Sequence, residues 1–298
     1  MGFDVELILL ALAPVFVGCI AWECIWWRRR GNTSVYSWRD TLCNTGLALL
    51  HQGADKLAWL FVIPVYSWVY THWRIHTFDS SWTSLVALFL AQDFLYYWFH
   101  RTSHRVRWLW AAHSVHHSSE RMNLSTAFRQ SLMYPVAGMW LFWLPMAWLG
   151  FEPRLIVAIV LLNLAFQFFV HTQAIPKLGP LEWVLNTPSV HRIHHARNPR
   201  YIDRNYAGVL VIWDRLFGSY VKEDPAVPCD YGTIKRVTSF NPLTVTFCEW
   251  RDMLRELLRA RTWKERGTLL FAPPEVAESV AARQAAETEP QRPASFRL

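Results

Sequence analysis

The stretch WTSLVALFLAQDFLYYWFHRTSHRVRWLWAAHSVHH, Trp82–His117, carries the reading of the fold. Its first half, Trp82–Phe99, is almost wholly apolar and close to the roughly 20 residues a helix needs to cross a bilayer. The run then meets His100 and His104, spaced HxxxH, and His113, His116 and His117, spaced HxxHH. Residues three and four apart share a helix face, so each cluster aims its imidazoles at one point. An apolar helix that ends in such a cluster predicts an all-α integral membrane protein with its polar chemistry at the membrane's edge.

Four more apolar runs flank this one: Val5–Trp27, Leu47–Tyr70, Leu132–Leu149 and Leu155–Val170. They predict about five membrane helices. The run Leu47–Tyr70 is the weakest, since His51, Asp55 and Lys56 interrupt it and Pro64 kinks it; it reads as interfacial at first and crossing from Leu57 onward. Met1–Glu6 lacks the basic segment of a cleaved signal peptide, so the first span is expected to stay. Of the 298 residues 52% are hydrophobic and only 18% charged, which excludes a disordered chain. The mean hydropathy of +0.09 averages these spans with polar, His-rich segments. The net charge of +7 does not indicate nucleic acid, because the basic residues flank apolar spans as they do beside anionic headgroups. Cys19, Cys24, Cys43, Cys229 and Cys248 have no paired spacing, so neither disulfides nor a thiolate metal site is expected.

Basic residues in short connections stay on the cytoplasmic side. Arg28, Arg29, Arg30, Arg39, Arg101, Arg105, Arg107, Arg121 and Arg129 follow the first and third spans, against Arg74 and Arg154 on the opposite face. The His-rich segments and the C-terminal region are therefore expected in the cytoplasm. Residues 1–272 read as one domain with a core at about 82–220; Asn241–Arg266 reads as an amphipathic helix lying on the membrane or on the catalytic region. The Pro-, Ala- and Glu-rich 273–298 reads as a disordered tail.

A third cluster, His191, His194 and His195, repeats HxxHH, and His171 ends the fifth span on the same expected side. Polar groups at membrane depth are costly and usually functional, so eight histidines at these spacings point to metal. His72 and His76 also read HxxxH but fall in an external loop and are taken as surface residues; His51 is taken as a partner for a helix or headgroup. Imidazole suits Fe, Zn and Cu, and a site with eight or nine nitrogen donors can serve two metals with open positions. Iron with O2 chemistry fits this better than structural zinc, which four ligands satisfy. Asp93, seven residues before His100, is expected to orient a ligand from another box or to make a helix-packing bond. Thr187–Pro188 predicts a helix start just before His191, and Asn198–Pro199 its end. No nucleotide, flavin or haem motif is present, so electrons must come from a separate partner. A metal transporter would place ligands along several spans, and a non-catalytic zinc scaffold would bind without consuming O2.

The stretches Asp93–His104, His113–Ser131, Phe166–Gln173 and Leu178–Tyr220 resemble the fatty acid hydroxylase/sterol desaturase superfamily of membrane di-iron enzymes, and within it the alkylglycerol monooxygenases. The resemblance runs from about Trp38 to Pro274. It implies that His100, His104, His113, His116, His117, His191, His194 and His195 ligate two irons, with His171 a ninth ligand. It further implies O2-dependent hydroxylation of a lipid C–H bond, with a tetrahydropterin or other external electron donor; desaturation at the same site is the alternative. Arg105 departs from the acidic residue, and Val190 from the histidine often found there, in alkylglycerol monooxygenases. Asn205, Tyr206, Trp213 and Asp214 match the family beyond the last box, where the Asn205 amide either holds a metal-bound water or packs a polar cap. Glu120 and Arg129 are expected to steady the second box. Trp140, Trp143, Phe166 and Phe169 are candidates for the substrate channel or for lipid contact.

Overall fold

The computed structural model describes residues 5–288, with side chains for residues 12–284. Those residues are helical, with two isolated β-bridges, Leu185–Leu210 and Ala196–Tyr231. The chain runs α1 (Val5–Arg29), α2 (Trp38–Trp73), α3 (Trp82–Arg105) and α4 (Arg107–His117), then the short α5 (Tyr134–Ala137) and α6 (Leu144–Leu149). There follow α7 (Pro153–Phe168), α8 (Pro188–His194), α9 (Ile212–Leu216), α10 (Pro242–Arg259), α11 (Trp263–Phe271) and α12 (Pro274–Thr288).

Helix α3 starts where the Ser81 hydroxyl accepts from Ser84 N, capping an orphan amide. It stops at Val106, whose extended backbone (φ −125°, ψ 114°) turns the chain before α4 begins. That single residue places the first two histidine boxes on two packed helices instead of one long one. Buried Arg107 holds the turn against α10 through Glu249 (3.0 Å) and Glu256. The main core, including Tyr66, Leu88, Phe99, Trp143, Met146 and Ile156, lies among α2, α3, α6 and α7.

The expected spans fare unequally. Among the described residues no helix is long and apolar enough to cross a membrane. α2 has the length, 36 residues, but carries Asp40, His51, Asp55 and Lys56, and α7 is apolar but only 16 residues long. Leu132–Leu149 is not one helix. Pro135 and Pro145 lack the amide a helix interior uses, and Gly138 (φ 90°) and Gly150 (φ 112°) take left-handed caps that end α5 and α6.

The C-terminal expectations change as well. Asn241–Arg266 divides at Ala260 into α10 and α11. Residues 274–288 form α12 instead of an unstructured tail: Ala277 is buried against Ala260 and Leu269. Residues 289–298 of that expected tail, and residues 1–4, lie outside the described residues.

Candidate metal centre

The nine histidines of the three boxes and of position 171 converge in two buried groups. His100, His104, His113, His117 and His194 form one; His116, His171, His191 and His195 form the other. Within each group the candidate ligand atoms lie within 4.8 Å of one another. The pairs spaced by four, His113/His117 and His191/His195, stay together, while His116 and His194 cross to the opposite group. Helical pitch explains this: a residue three along falls about 60° short of a full turn and one four along about 40° past it, so the two point about 100° apart. α4 and α8 are thus each shared between the groups.

The nitrogen geometry tests whether a metal fits. His100 Nε2 lies 3.0 Å from His113 Nε2, which is 3.1 Å from His117 Nε2, itself 3.1 Å from His194 Nε2. In the other group His116–His171, His171–His191 and His191–His195 repeat these contacts at 3.1, 3.0 and 3.1 Å. A metal holding imidazole nitrogens at about 2.1 Å puts neighbours at right angles roughly 3.0 Å apart.

Hydrogen bonding between the rings does not account for the His116–His171 contact. His116 Nδ1–H donates to the Arg129 carbonyl (3.1 Å) and His171 Nδ1–H to the Gln167 carbonyl (2.6 Å). In the neutral imidazole the proton is then on Nδ1, so two bare Nε2 lone pairs face each other at 3.1 Å. A cation between them removes the repulsion. His104 Nε2 is buried with no partner, a further donor atom awaiting one.

Burial favours the neutral form of eight of these rings, as ligation requires. It lowers His100 to about 3 and His171 to about 4 from the ordinary 6.5, with the neighbouring His104 adding to the first. His113, His116, His117, His191, His194 and His195 are pushed well down, chiefly by burial and then by one another.

The outer atoms of the rings are held by the backbone more than by side chains. His100 Nδ1–H donates to the Tyr206 carbonyl (2.8 Å) and His194 Nδ1–H to the Arg204 carbonyl (3.0 Å). Tyr134 Oη meets His113 Nδ1 at 2.8 Å, and an Asp203 oxygen lies 3.4 Å from His104 Nδ1. Arg105, the departure in the first box, pairs with Asp203 at 2.5 Å, so it steadies a carboxylate that faces a box histidine. Val190 packs in an apolar cluster with Ala207 and Val211.

Two expected supporting residues follow the packing alternative in their hydrogen bonds. Asp93 touches no box histidine: it accepts from Val209 N (2.8 Å), Leu210 N (3.0 Å), Trp213 Nε1 (2.9 Å) and Asn163 Nδ2 (3.1 Å), tying the segment before α9 to α3. The Asn205 amide bonds backbone on both sides, donating to the Val190 and Val221 carbonyls and accepting from Val221 N. Glu120 pairs with Arg236 and Arg197, while Arg129 is buried against Asp40 and Asn44. Thr187 starts α8 with Pro188 at its first position, though its hydroxyl meets Ser189 instead of capping. The helix ends at His194, earlier than Asn198–Pro199 suggested. His72 and His76 are exposed and outside both groups, and His51 bonds the Ser131 carbonyl, as expected of non-ligands.

Glu23 escaped the sequence reading. Its buried carboxylate accepts from Leu124 N (2.8 Å), Tyr36 Oη (2.5 Å) and the Thr172 hydroxyl, linking α1 to the residue after His171. An acid within an apolar run was the available signal.

A cavity of about 530 Å³ reaches His104, His117, His194 and His195 past Trp110. A second, about 60 Å³, is apolar and lined by Trp140 and Trp143 among others; Phe166 and Phe169 are not part of it.

Residues 85–219 match the family model described as fatty acid hydroxylase. Alkylglycerol monooxygenase from Homo sapiens is 46% identical over 184 residues, 61% of this chain and 40% of that protein. The Danio rerio protein of that name is 39% identical over 241 residues, 78% of this chain and 52% of its own length. Ornithine lipid hydroxylase OlsE from Rhizobium tropici is 23% identical over 236 residues, 78% of this chain and 71% of the relative. The chain thus spans about half or less of the alkylglycerol monooxygenases it matches. No solved structure matches it. All nine clustered histidines lie within the region that matches the fatty acid hydroxylase model.

Proposed function

We propose that the protein is a membrane-bound oxygenase that hydroxylates a C–H bond of a lipid, using two irons, O2 and electrons from a separate donor. The observation that carries this reading is the facing pair of bare Nε2 lone pairs on His116 and His171, set within two buried all-nitrogen groups. Iron held there would supply the reduction of O2 coupled to removal of hydrogen from an unactivated carbon. The chain's own residues do the rest. Backbone carbonyls of Tyr206, Arg204, Arg129 and Gln167 keep the protons on Nδ1 and aim the Nε2 atoms inward. Burial of every ring keeps bulk water from the centre. The larger cavity gives a substrate access beside His104, His117 and His194. The relatives named for alkylglycerol and ornithine lipid chemistry support a lipid as that substrate.

Membrane attachment rests on the surface. Trp22, Trp38, Trp68, Trp73 and Trp82 are each more than half exposed on α1, α2 and the start of α3, where amphipathic rings favour the interface.

Metal analysis of the detergent-solubilised full chain tests the centre. Two irons per chain are expected, with loss of iron in His116→Ala; zinc alone, or iron unchanged by the substitution, overturns the reading. Mass spectrometry of lipids from an expressing strain then reads the reaction as a gain of one oxygen, whereas a loss of two hydrogens would mean desaturation.

A further inference from the structure

Helix α10 sorts its residues into three faces. Its acids turn inward: Glu249 and Glu256 pair with buried Arg107, and Asp252 with Lys235 at 2.6 Å, each carboxylate side chain no more than 17% exposed. Its bases turn outward. Arg251 and Arg255 have side chains 53% and 62% exposed and lean on the same Asp252, and Arg259 is exposed one turn on. Between these faces runs an apolar stripe: Leu243, Phe247, Leu254 and Leu258, exposed by 52, 40, 57 and 77%. At 3.6 residues per turn the four fall within about 60° of arc. Nothing among the described residues covers them.

Two further observations say what does. The outward charge is basic while the acids are consumed inside, so the complementary surface is anionic. The stripe also continues an exposed apolar face of α2: a Cβ on Gly46 would lie 2.9 Å from Pro242, and Leu42 and Leu49, on the same side of α2 as Gly46, are 61% and 70% exposed. Beyond the stripe stands Trp263, 83% exposed with Arg266 over its ring. An apolar stripe flanked by arginines and ended by an indole suits a helix lying in the headgroup region.

We propose that α10 docks on an anionic bilayer surface and sets the mouth of the larger cavity there. Its basic face already borders that cavity through Thr244, Cys248, Arg251 and Asp252, so a lipid leaving the bilayer at α10 enters directly toward His104 and His194. This rests on the membrane lipid as substrate.

The test uses the full chain in nanodiscs of phosphatidylcholine, alone or equimolar with phosphatidylglycerol. Nitroxides go on Leu254→Cys, Leu258→Cys or Arg255→Cys, with the five native cysteines replaced and metal content checked. Labels at 254 and 258 should collide with O2 and be shielded from a water-soluble nickel chelate, more so with phosphatidylglycerol, and the label at 255 should be open to the chelate. Arg251→Gln/Arg259→Gln should abolish the dependence on lipid charge. Labels at 254 and 258 as open to the chelate as 255 overturn the proposal, as do labels shielded from both reagents, which mean a protein cover. Loss of the metal reading shows separately, as absent iron in samples whose labels are dry.

Discussion

Asn205 shows how much one residue does here without touching any of the nine clustered histidines. It holds φ 57°, left-handed space that asparagine tolerates, and its amide makes three bonds to backbone at Val190 and Val221. The residues on either side supply the Arg204 and Tyr206 carbonyls that orient His194 and His100. Asn205→Ala should cost about 1–3 kcal/mol for the unpaired buried groups it leaves, and should empty the five-histidine group before the four-histidine one. Metal content and thermal unfolding of the variant check this; unchanged iron would falsify the positioning role. The residue was visible in the sequence but its task was not, since its partners are carbonyls that every residue carries.

Among elements, the histidine boxes were legible because their spacing is a local property of one helix. Which box histidine joins which group was not, for that depends on how α3, α4, α7 and α8 meet. The same limit explains Leu132–Leu149: hydropathy reads the run as one span, while two prolines and two left-handed glycines break it. α12 was hidden by its composition, since alanine and glutamate suit a helix once Ala277 finds a pocket. Where α3 and α7 meet, a buried ladder joins Gln92, Asn163, Gln167 and Tyr96, and Gln167 also holds His171 through its carbonyl. Gly208 lies against it so closely that a Cβ would come 2.8 Å from both Asn163 and Tyr96. Gly208→Ala should therefore destabilise by about 1–3 kcal/mol, read as a lowered unfolding temperature. An unchanged temperature would show that the ladder yields freely.

The whole molecule is stabilised against protonation only by burying its rings. Metal-free chains should lose stability as pH falls below 6.5, where an unfolded histidine takes up a proton while His171 resists to about 4 and His100 to about 3. Stability is full above 6.5 and declines at roughly 1.4 kcal/mol per pH unit for each such ring until its folded value is reached. Unfolding temperatures of chelator-treated protein should be level above about pH 7 and fall steadily toward pH 5; a level profile throughout would contradict neutral buried rings. The global reading of apolar surface around a polar centre was available from composition, but the cavity was not, because α4, α8, α10 and the 232–239 segment that wall it are far apart in sequence.

The sharing of α4 and α8 between the two groups has a further consequence. His113 and His116 sit on one rigid rod, as do His191 and His194, so the separation of the two centres is inherited from helix pitch. Breathing of the surrounding fold can tilt both centres together but cannot draw them apart. A change of register in either rod would therefore move histidines of both groups, whereas His100 and His104 serve only one and His171 only the other.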